Sequence, residues 1–219
     1  VGSEMCIRDS HMDDLHRTAT PSEIAAMRVQ LQESLQAGAL GLSTGLAYAS
    51  AFNAETDEVL QLSEELTAFG AVYTTHLRSE FEPVLEAMDE AFVIGRHAQA
   101  PVIISHLKCA GAGNWGRSPQ LLASLELAAQ THPVGCDCYP YAASSSTLDL
   151  KQVTDAFRIT ITWSTPHPEV GGRDLQDIAA QWEVSLMDAA RRLQPAGAVY
   201  YGMDEACLLY TSDAADERA

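Results

Sequence analysis

The chain has 219 residues, 47% of them hydrophobic and 20% charged, and no apolar run near the length of a membrane span. That length suits one large domain, slightly short of a complete α/β barrel. A formal net charge of −17, with no basic patch to offset it, excludes a nucleic-acid partner and an anionic membrane surface.

Both ends read as something other than protein design. "EMCIRDS" (4–10) can be encoded by GAG ATG TGT ATA AGA GAC AG plus one base. The reverse complement of that stretch, shifted by one base, encodes "CLLYTS" (207–212). One inverted repeat therefore accounts for both termini, and it matches the mosaic end of a transposon-based sequencing adapter. Residues 1–10 and 207–219 are accordingly expected to be adapter-derived. They show no periodic apolar face and are expected to lie outside the packed core or to pair only opportunistically. Residues 11–206 remain as one partial barrel domain, still strongly acidic. On this reading the native N-terminus, with any signal peptide, is missing.

From residue 21 the pattern is regular. Pro21-Ser22-Glu23 opens a helix whose apolar residues Ile24, Met27, Leu31 and Leu35 recur at helical spacing up to Gly38. "GALGLSTGLAY" (38–48) is a glycine-rich buried strand running into a loop. A second helix spans 56–69 and stops at Gly70. Strand 71–76, helix 82–98 and strand 102–106 follow, then a glycine loop, a helix at 119–130 with Ser118 as N-cap, and strand 134–138. Strand and helix alternate with short links, the signature of a parallel sheet covered by helices.

That alternation gives two histidines a location. "VYTTHLRSE" (72–80) and "PVIISHLK" (101–108) each run apolar residues into a hydroxyl, a histidine and a basic residue. Residues just after each strand sit at the carboxyl edge of the sheet, where barrel enzymes assemble their sites. His76 and His106 end successive strands, so they face one mouth. Two converging imidazoles there indicate a metal site, and neutral imidazole is a common zinc ligand. His11, His16, His97, His132 and His167 fall on helices or in loops, where solvated or helix-terminal roles are expected.

The stretch "GAGNWG" (111–116) satisfies G-x-G-x-x-G and suggests dinucleotide binding. A Rossmann turn leaves its strand directly and brings the third glycine to the helix start. Here "SHLKC" intervenes and the helix begins later, so a loop over an active site is the better account. "CDCYPYAASSS" (136–146) closes the last strand with tyrosines and serines. Spacing leaves two readings open, a solvated loop or hydroxyls placed to hold a polar substrate group. Cys136 and Cys138 flank Asp137 at a C-x-C spacing that suits neither a zinc ribbon nor a redox C-x-x-C motif. Reduced thiols and a cytoplasmic location are expected.

"GALGLSTGLAY", "THLRSE", "SHLKCAGAGNWGRS", "DCYPYAASSS" and "PHPEVGGRDLQDIAAQW…LQPAGAVYYGMDEA" together resemble the D-aminoacylases, N-acyl-D-amino-acid deacylases of the amidohydrolase superfamily. The resemblance covers essentially all of 11–206. It implies an α/β fold, an incomplete (β/α)₈ TIM-like barrel of about strands 4 to 7 with their helices, carrying zinc. It implies hydrolysis of a small N-acyl-D-amino acid to a carboxylate and a free D-amino acid. His76 and His106 match the family's metal histidines after the fifth and sixth strands. Lys108 and Tyr139 match positions that hold the substrate's α-carboxylate, and Tyr48 and Ser145 match positions lining the substrate pocket. The family's H-x-H pair, its cysteine ligand and its catalytic aspartate in S-D-G have no counterpart here. No catalytic residue is therefore nominated, neither Asp137 nor Asp204, and the chain alone is expected to be inactive. The alternatives are a non-catalytic barrel relative used for binding, and a dinucleotide-binding oxidoreductase resting on the glycine loop.

Overall fold

The computed structural model describes residues 4–208, which divide into two units. One unit runs to Lys108 and resumes over Arg117–Tyr139; the other comprises Cys109–Gly116 and the chain from Pro140 onward. Residues 11–206, read above as one domain, thus contribute to both. Residues 209–219, most of the second segment expected to be adapter-derived, lie outside the described residues.

In the first unit, helix α1 (Glu4–His11) precedes α2 (Pro21–Gln36). Thr20 caps α2 by accepting from the Glu23 N–H, the Glu23 carboxylate returns a bond to the Thr20 N–H, and Pro21 occupies the first turn. The buried residues of α2 are Ile24, Met27, Leu31 and Leu35, the four that set its period. The order continues β1 (Gly41–Gly45), α3 (Thr56–Ser63), β2 (Val72–His76), α4 (Val84–Ala98), β3 (Val102–Ile104), α5 (Ser118–Ala129) and β4 (Val134–Cys136). After α3 the chain tightens into a 3₁₀ segment (Glu64–Phe69) and stops at Gly70, which takes φ 58°. Both α5 and the strands depart slightly from expectation. Arg117, not Ser118, precedes α5, and β3 and β4 end two residues early because the chain turns to build the site.

All four strands run parallel in the order β1-β2-β3-β4. Leu42, Thr44, Tyr73, Thr75, Val102 and Ile104 alternate onto a buried face. Gly95 lets α4 close onto that face, since a Cβ there would lie 2.0 Å from Val102 Cγ2. A hydroxyl chain runs inside it. Tyr73 Oη and Thr44 Oγ1 are 2.9 Å apart, and Thr44 donates to Thr75 Oγ1 at 2.7 Å. The opposite face, with Ser43, Thr74 and Ile103, is more open; Ile103 is 37% exposed.

The expectation that residues 1–10 lie outside the packing, or pair only opportunistically, is corrected for the described part of that segment. Ile7 and Arg8 are buried, and the Arg8 guanidinium meets the buried Glu58 carboxylate with contacts of 2.7 and 3.3 Å. It also donates to the Ser50 carbonyl at 2.6 Å. An ion pair, rather than a stripe of apolar residues, draws this end in. At the other end Cys207 and Leu208 are also buried.

In the second unit β5 (Ser144–Thr147), β6 (Ile159–Ser164) and β7 (Ala196–Tyr200) form an antiparallel sheet of order β5-β7-β6. Helices α6 (Leu175–Gln181) and α7 (Leu186–Leu193) lie between β6 and β7 in the chain. Ile159, Ile161, Ile178, Leu193 and Ala198 are among its core. The glycine loop belongs to this unit: Gly111 N–H and Trp115 Nε1–H both donate to the Gly202 carbonyl, at 2.8 and 3.0 Å. The loop forms a short 3₁₀ turn (Ala112–Asn114) and Gly116 stays outside α5. It therefore does not make the strand–turn–helix cradle of a dinucleotide site.

Candidate metal centre

His76 is the last residue of β2 and pairs in register with Gly45 of β1. On the next strand, Ser105 N–H donates to the Thr75 carbonyl at 2.9 Å, extending the ladder one residue past β3. His106 then takes φ 43°, left-handed backbone that is uncommon outside glycine. Such a conformation costs on the order of 1–3 kcal/mol and persists only where neighbours hold it. Asp137, just past β4, does so: its carboxylate accepts the His106 N–H and its carbonyl accepts the Leu107 N–H. The turn swings the His106 imidazole toward β2. His76 Nδ1 and His106 Nε2 come within 3.0 Å, with the rings nearly edge to face at 74°.

Glu80, four residues after His76, lies against both rings. Its Oε1 is 2.9 Å from His106 Nδ1 and its Oε2 is 3.8 Å from His76 Nε2. Its Oε1 also pairs with Lys108 Nζ. The Lys108 side chain is 4% exposed; its Nζ lies 2.7 Å from His106 Nδ1 and 5.3 Å from the centre of the Tyr139 ring. Tyr48 Oη stands 3.4 Å from His76 Nδ1. Gly45 is required for that approach, because a Cβ there would lie 2.6 Å from the Tyr48 ring.

Burial lowers the His76 pKa, reinforced by His106 and Lys108 and opposed by the Glu80 charge, so its imidazole is held neutral. Burial alone would raise Glu80, but the hydrogen bond from His106 and the Lys108 charge outweigh it and leave the carboxyl below its usual range. Burial pulls Lys108 down despite the Glu80 carboxylate. It pushes the Tyr139 and Tyr48 phenols up, with Glu80 adding to both. Two imidazoles beside an ionised carboxylate form a donor set suited to a divalent cation, and among the described residues His76, Glu80 and His106 form the group with metal-ligand spacing.

The first unit thus gathers His76, His106, Lys108, Tyr139 and Tyr48. Ser145 lies on β5 of the second unit, exposed and opposite Val199. Sequence reasoning missed Glu80 and Asp137. Glu80 stood within "THLRSE", but only the bend after β2 shows that its carboxylate returns to the ring four residues back. Arg78, in the same stretch, anchors that bend through two bonds to Glu90 and others to the carbonyls of Phe52 and Ala54. Other histidines meet local partners, His97 with Glu64, His132 with the Ala100 carbonyl and His167 with Glu169.

No family model matches the chain. It is 45% identical over 199 residues to a D-aminoacylase of Alcaligenes xylosoxydans xylosoxydans, covering 91% of this chain and 41% of that protein. It is also 45% identical over 201 residues to an N-acyl-D-aspartate deacylase of the same organism, covering 91% of this chain and 40% of the relative. The crystal structure of an N-acyl-D-glutamate deacylase from Bordetella bronchiseptica, complexed with zinc and a phosphonate mimic of its tetrahedral intermediate, superposes with a TM-score of 0.90 at 40% identity. That match covers 94% of this chain and 44% of the other. By sequence and by fold the chain is therefore homologous to the D-aminoacylases, over nearly all of its own length and about two-fifths of theirs.

Proposed function

We propose that the chain is part of a zinc-dependent amidohydrolase that hydrolyses N-acyl-D-amino acids to a carboxylate and a D-amino acid. The observation that carries this reading is the convergence of His76 Nδ1 and His106 Nε2 at 3.0 Å at the carboxyl edge of a parallel sheet. Two nitrogens on a tetrahedral zinc, with Zn–N bonds of about 2.0–2.1 Å, lie about 3.3–3.4 Å apart. The pair needs only a few tenths of an ångström to match. The same reading makes the sheet a segment of a (β/α)₈ barrel. Its more open face, with Thr74, Ile103 and His76, would be the barrel interior. A cytoplasmic location agrees with the lack of a disulfide among Cys109, Cys136, Cys138 and Cys207.

His76 and His106 would hold the metal. Bound zinc supplies Lewis acidity, polarising a carbonyl and lowering the pKa of a water to roughly 7. The chain's own residues supply orientation. Lys108 and Tyr139 would receive the substrate's α-carboxylate, which favours acylated amino acids over simple amides. Tyr48 would line the pocket beside His76. The histidines act as ligands and not as bases. Proton transfer needs a carboxylate besides Glu80, and the nearby Asp137 is already engaged by the His106 N–H. The chain alone is therefore expected to be inactive.

The test is expression of the complete reading frame that contains this chain, with zinc content and hydrolysis of N-acyl-D- and N-acyl-L-amino acids measured together. Zinc-dependent cleavage of the D-series is expected. Activity that survives full metal removal, or a strict preference for the L-series, would overturn the assignment.

A further inference from the structure

We propose that Glu80 is a positioning residue that sets which ring nitrogens His76 and His106 present to a metal, and that it is what permits Lys108 to stand beside them. The inference rests on the metal reading above. A neutral imidazole carries one proton and one lone pair on its two nitrogens, so a nitrogen can ligate only if the proton sits on the other. The inner nitrogens, His76 Nδ1 and His106 Nε2, face each other at 3.0 Å. The outer nitrogens, His76 Nε2 and His106 Nδ1, face the two oxygens of one carboxylate at 3.8 and 2.9 Å. An ionised carboxylate only accepts hydrogen bonds. At 2.9 Å it accepts the proton of His106 Nδ1; at 3.8 Å, beyond hydrogen-bond length, its charge favours the proton on His76 Nε2, and both inner lone pairs are left available.

Lys108 works against that arrangement. Its Nζ lies 2.7 Å from His106 Nδ1, and an ammonium only donates. Alone, it would draw the lone pair to Nδ1 and place the proton on Nε2, the nitrogen the metal needs. Glu80 Oε1 touches both groups and accepts from both. The ammonium is then satisfied without recruiting the ring. Histidine ligands commonly donate their second N–H to such a partner, whose removal typically costs about 10- to 100-fold in metal affinity. Here one carboxylate serves two ligands and a neighbouring cation.

The consequence is a dependence between two side chains that a packing role would not create. Zinc affinity is measured by chelator competition on the complete reading frame, for wild type, Glu80→Ala, Lys108→Met, Glu80→Ala/Lys108→Met and, as the site marker, His76→Ala. Glu80→Ala should weaken zinc about 10- to 100-fold. Lys108→Met should change it little, and the double variant should regain most of the loss. If Glu80→Ala binds zinc like wild type, the proposal fails. If the double variant is as weak as Glu80→Ala, Glu80 acts as a direct ligand or by packing, and the proposal fails equally. Circular-dichroism melts accompany each variant, and Glu80→Gln with its Lys108→Met double carries the same comparison should Glu80→Ala not fold. A wild type holding no zinc that His76→Ala removes would instead refute the metal reading itself.

Discussion

Lys108 is a buried cation with its charge already matched, and that decides how it can serve a substrate. Its ammonium contacts Glu80 and lies over the Tyr139 ring, so its position is set before any carboxylate arrives. A pre-positioned cation spends little rotamer entropy on binding. A charge-assisted hydrogen bond is worth about 1.5–3 kcal/mol, so Lys108→Ala in the complete enzyme should lower kcat/KM roughly ten- to a hundredfold. The loss should appear with an N-acyl-D-amino acid and not with its uncharged amide. Equal losses on both would withdraw the carboxylate assignment. Cys136 allows a second test at this scale. Burial first, then the neighbouring Cys138 and Asp137, push its thiol up to about 11. Only about one thiol in a thousand is then ionised at pH 8, so iodoacetamide should label Cys136 about a hundredfold more slowly than a free cysteine of ordinary pKa. Labelling at the ordinary rate would show a solvated, open β4 terminus.

At the level of elements, helix α2 and the β-α alternation were legible because they are written in local periodicity. Ile24, Met27, Leu31 and Leu35 mark one helical face, and each strand carries its own run of apolar or β-branched residues. Features set by distant partners were not legible. The early end of β3 depends on Asp137, 31 residues beyond His106, and the placement of α1 depends on Glu58. The Arg8–Glu58 pair gives a sharp expectation, because both side chains are at most 1% exposed. Breaking a buried pair from one side leaves an uncompensated charge and costs about 3–5 kcal/mol, whereas replacing both partners by apolar residues can be neutral. Arg8→Ala, or trimming residues 1–10, should therefore lower stability by that amount in urea titrations followed by circular dichroism. Arg8→Met/Glu58→Leu should recover most of it. A neutral Arg8→Ala would return this end to the loose status its adapter-like sequence suggests. The start of α2 responds to pH. The Arg17 hydrogen bond, followed by the Thr20 N–H, holds the Glu23 carboxyl well below the usual range. A carboxyl depressed on folding stabilises the folded state above its unfolded pKa of about 4.3, and that contribution is lost as pH falls through the folded value. Glu23→Gln should accordingly flatten the acid limb of stability below pH about 4 and leave neutral pH dependence unchanged.

For the whole molecule, the decisive fact is that a site is partly assembled on a sheet whose two outer strands, β1 and β4, have no further neighbour in it among the described residues. The two histidines were legible because each stands at the end of a strand or just beyond it, whereas Lys108 and Tyr139 were nominated by the family resemblance. The antiparallel sheet of the second unit was not legible, because "SSST" is polar throughout and the alternation that Ile159 and Ile161 begin in "ITITWS" breaks at a bulge, which leaves Trp163 exposed and Ser164 buried. The chemistry expected of the chain follows from what its site contains. His76 and His106, backed by Glu80, can hold a cation, but hydrolysis also needs a group that takes a proton from water and returns it to the leaving amine. Glu80 is engaged by Lys108 and His106, and Asp137 by the His106 N–H. The 219-residue chain should then bind zinc and still fail to turn over N-acyl-D-amino acids. Strands with unpaired edges and a half-exposed Ile103 template association with further copies. It should also elute from size-exclusion columns as concentration-dependent oligomers. Zinc titration, a hydrolysis assay and chromatography on one preparation separate the outcomes. Robust turnover by this chain alone would mean that Glu80 or Asp137 serves as the proton-transfer group, and the positioning roles assigned to both would have to be abandoned.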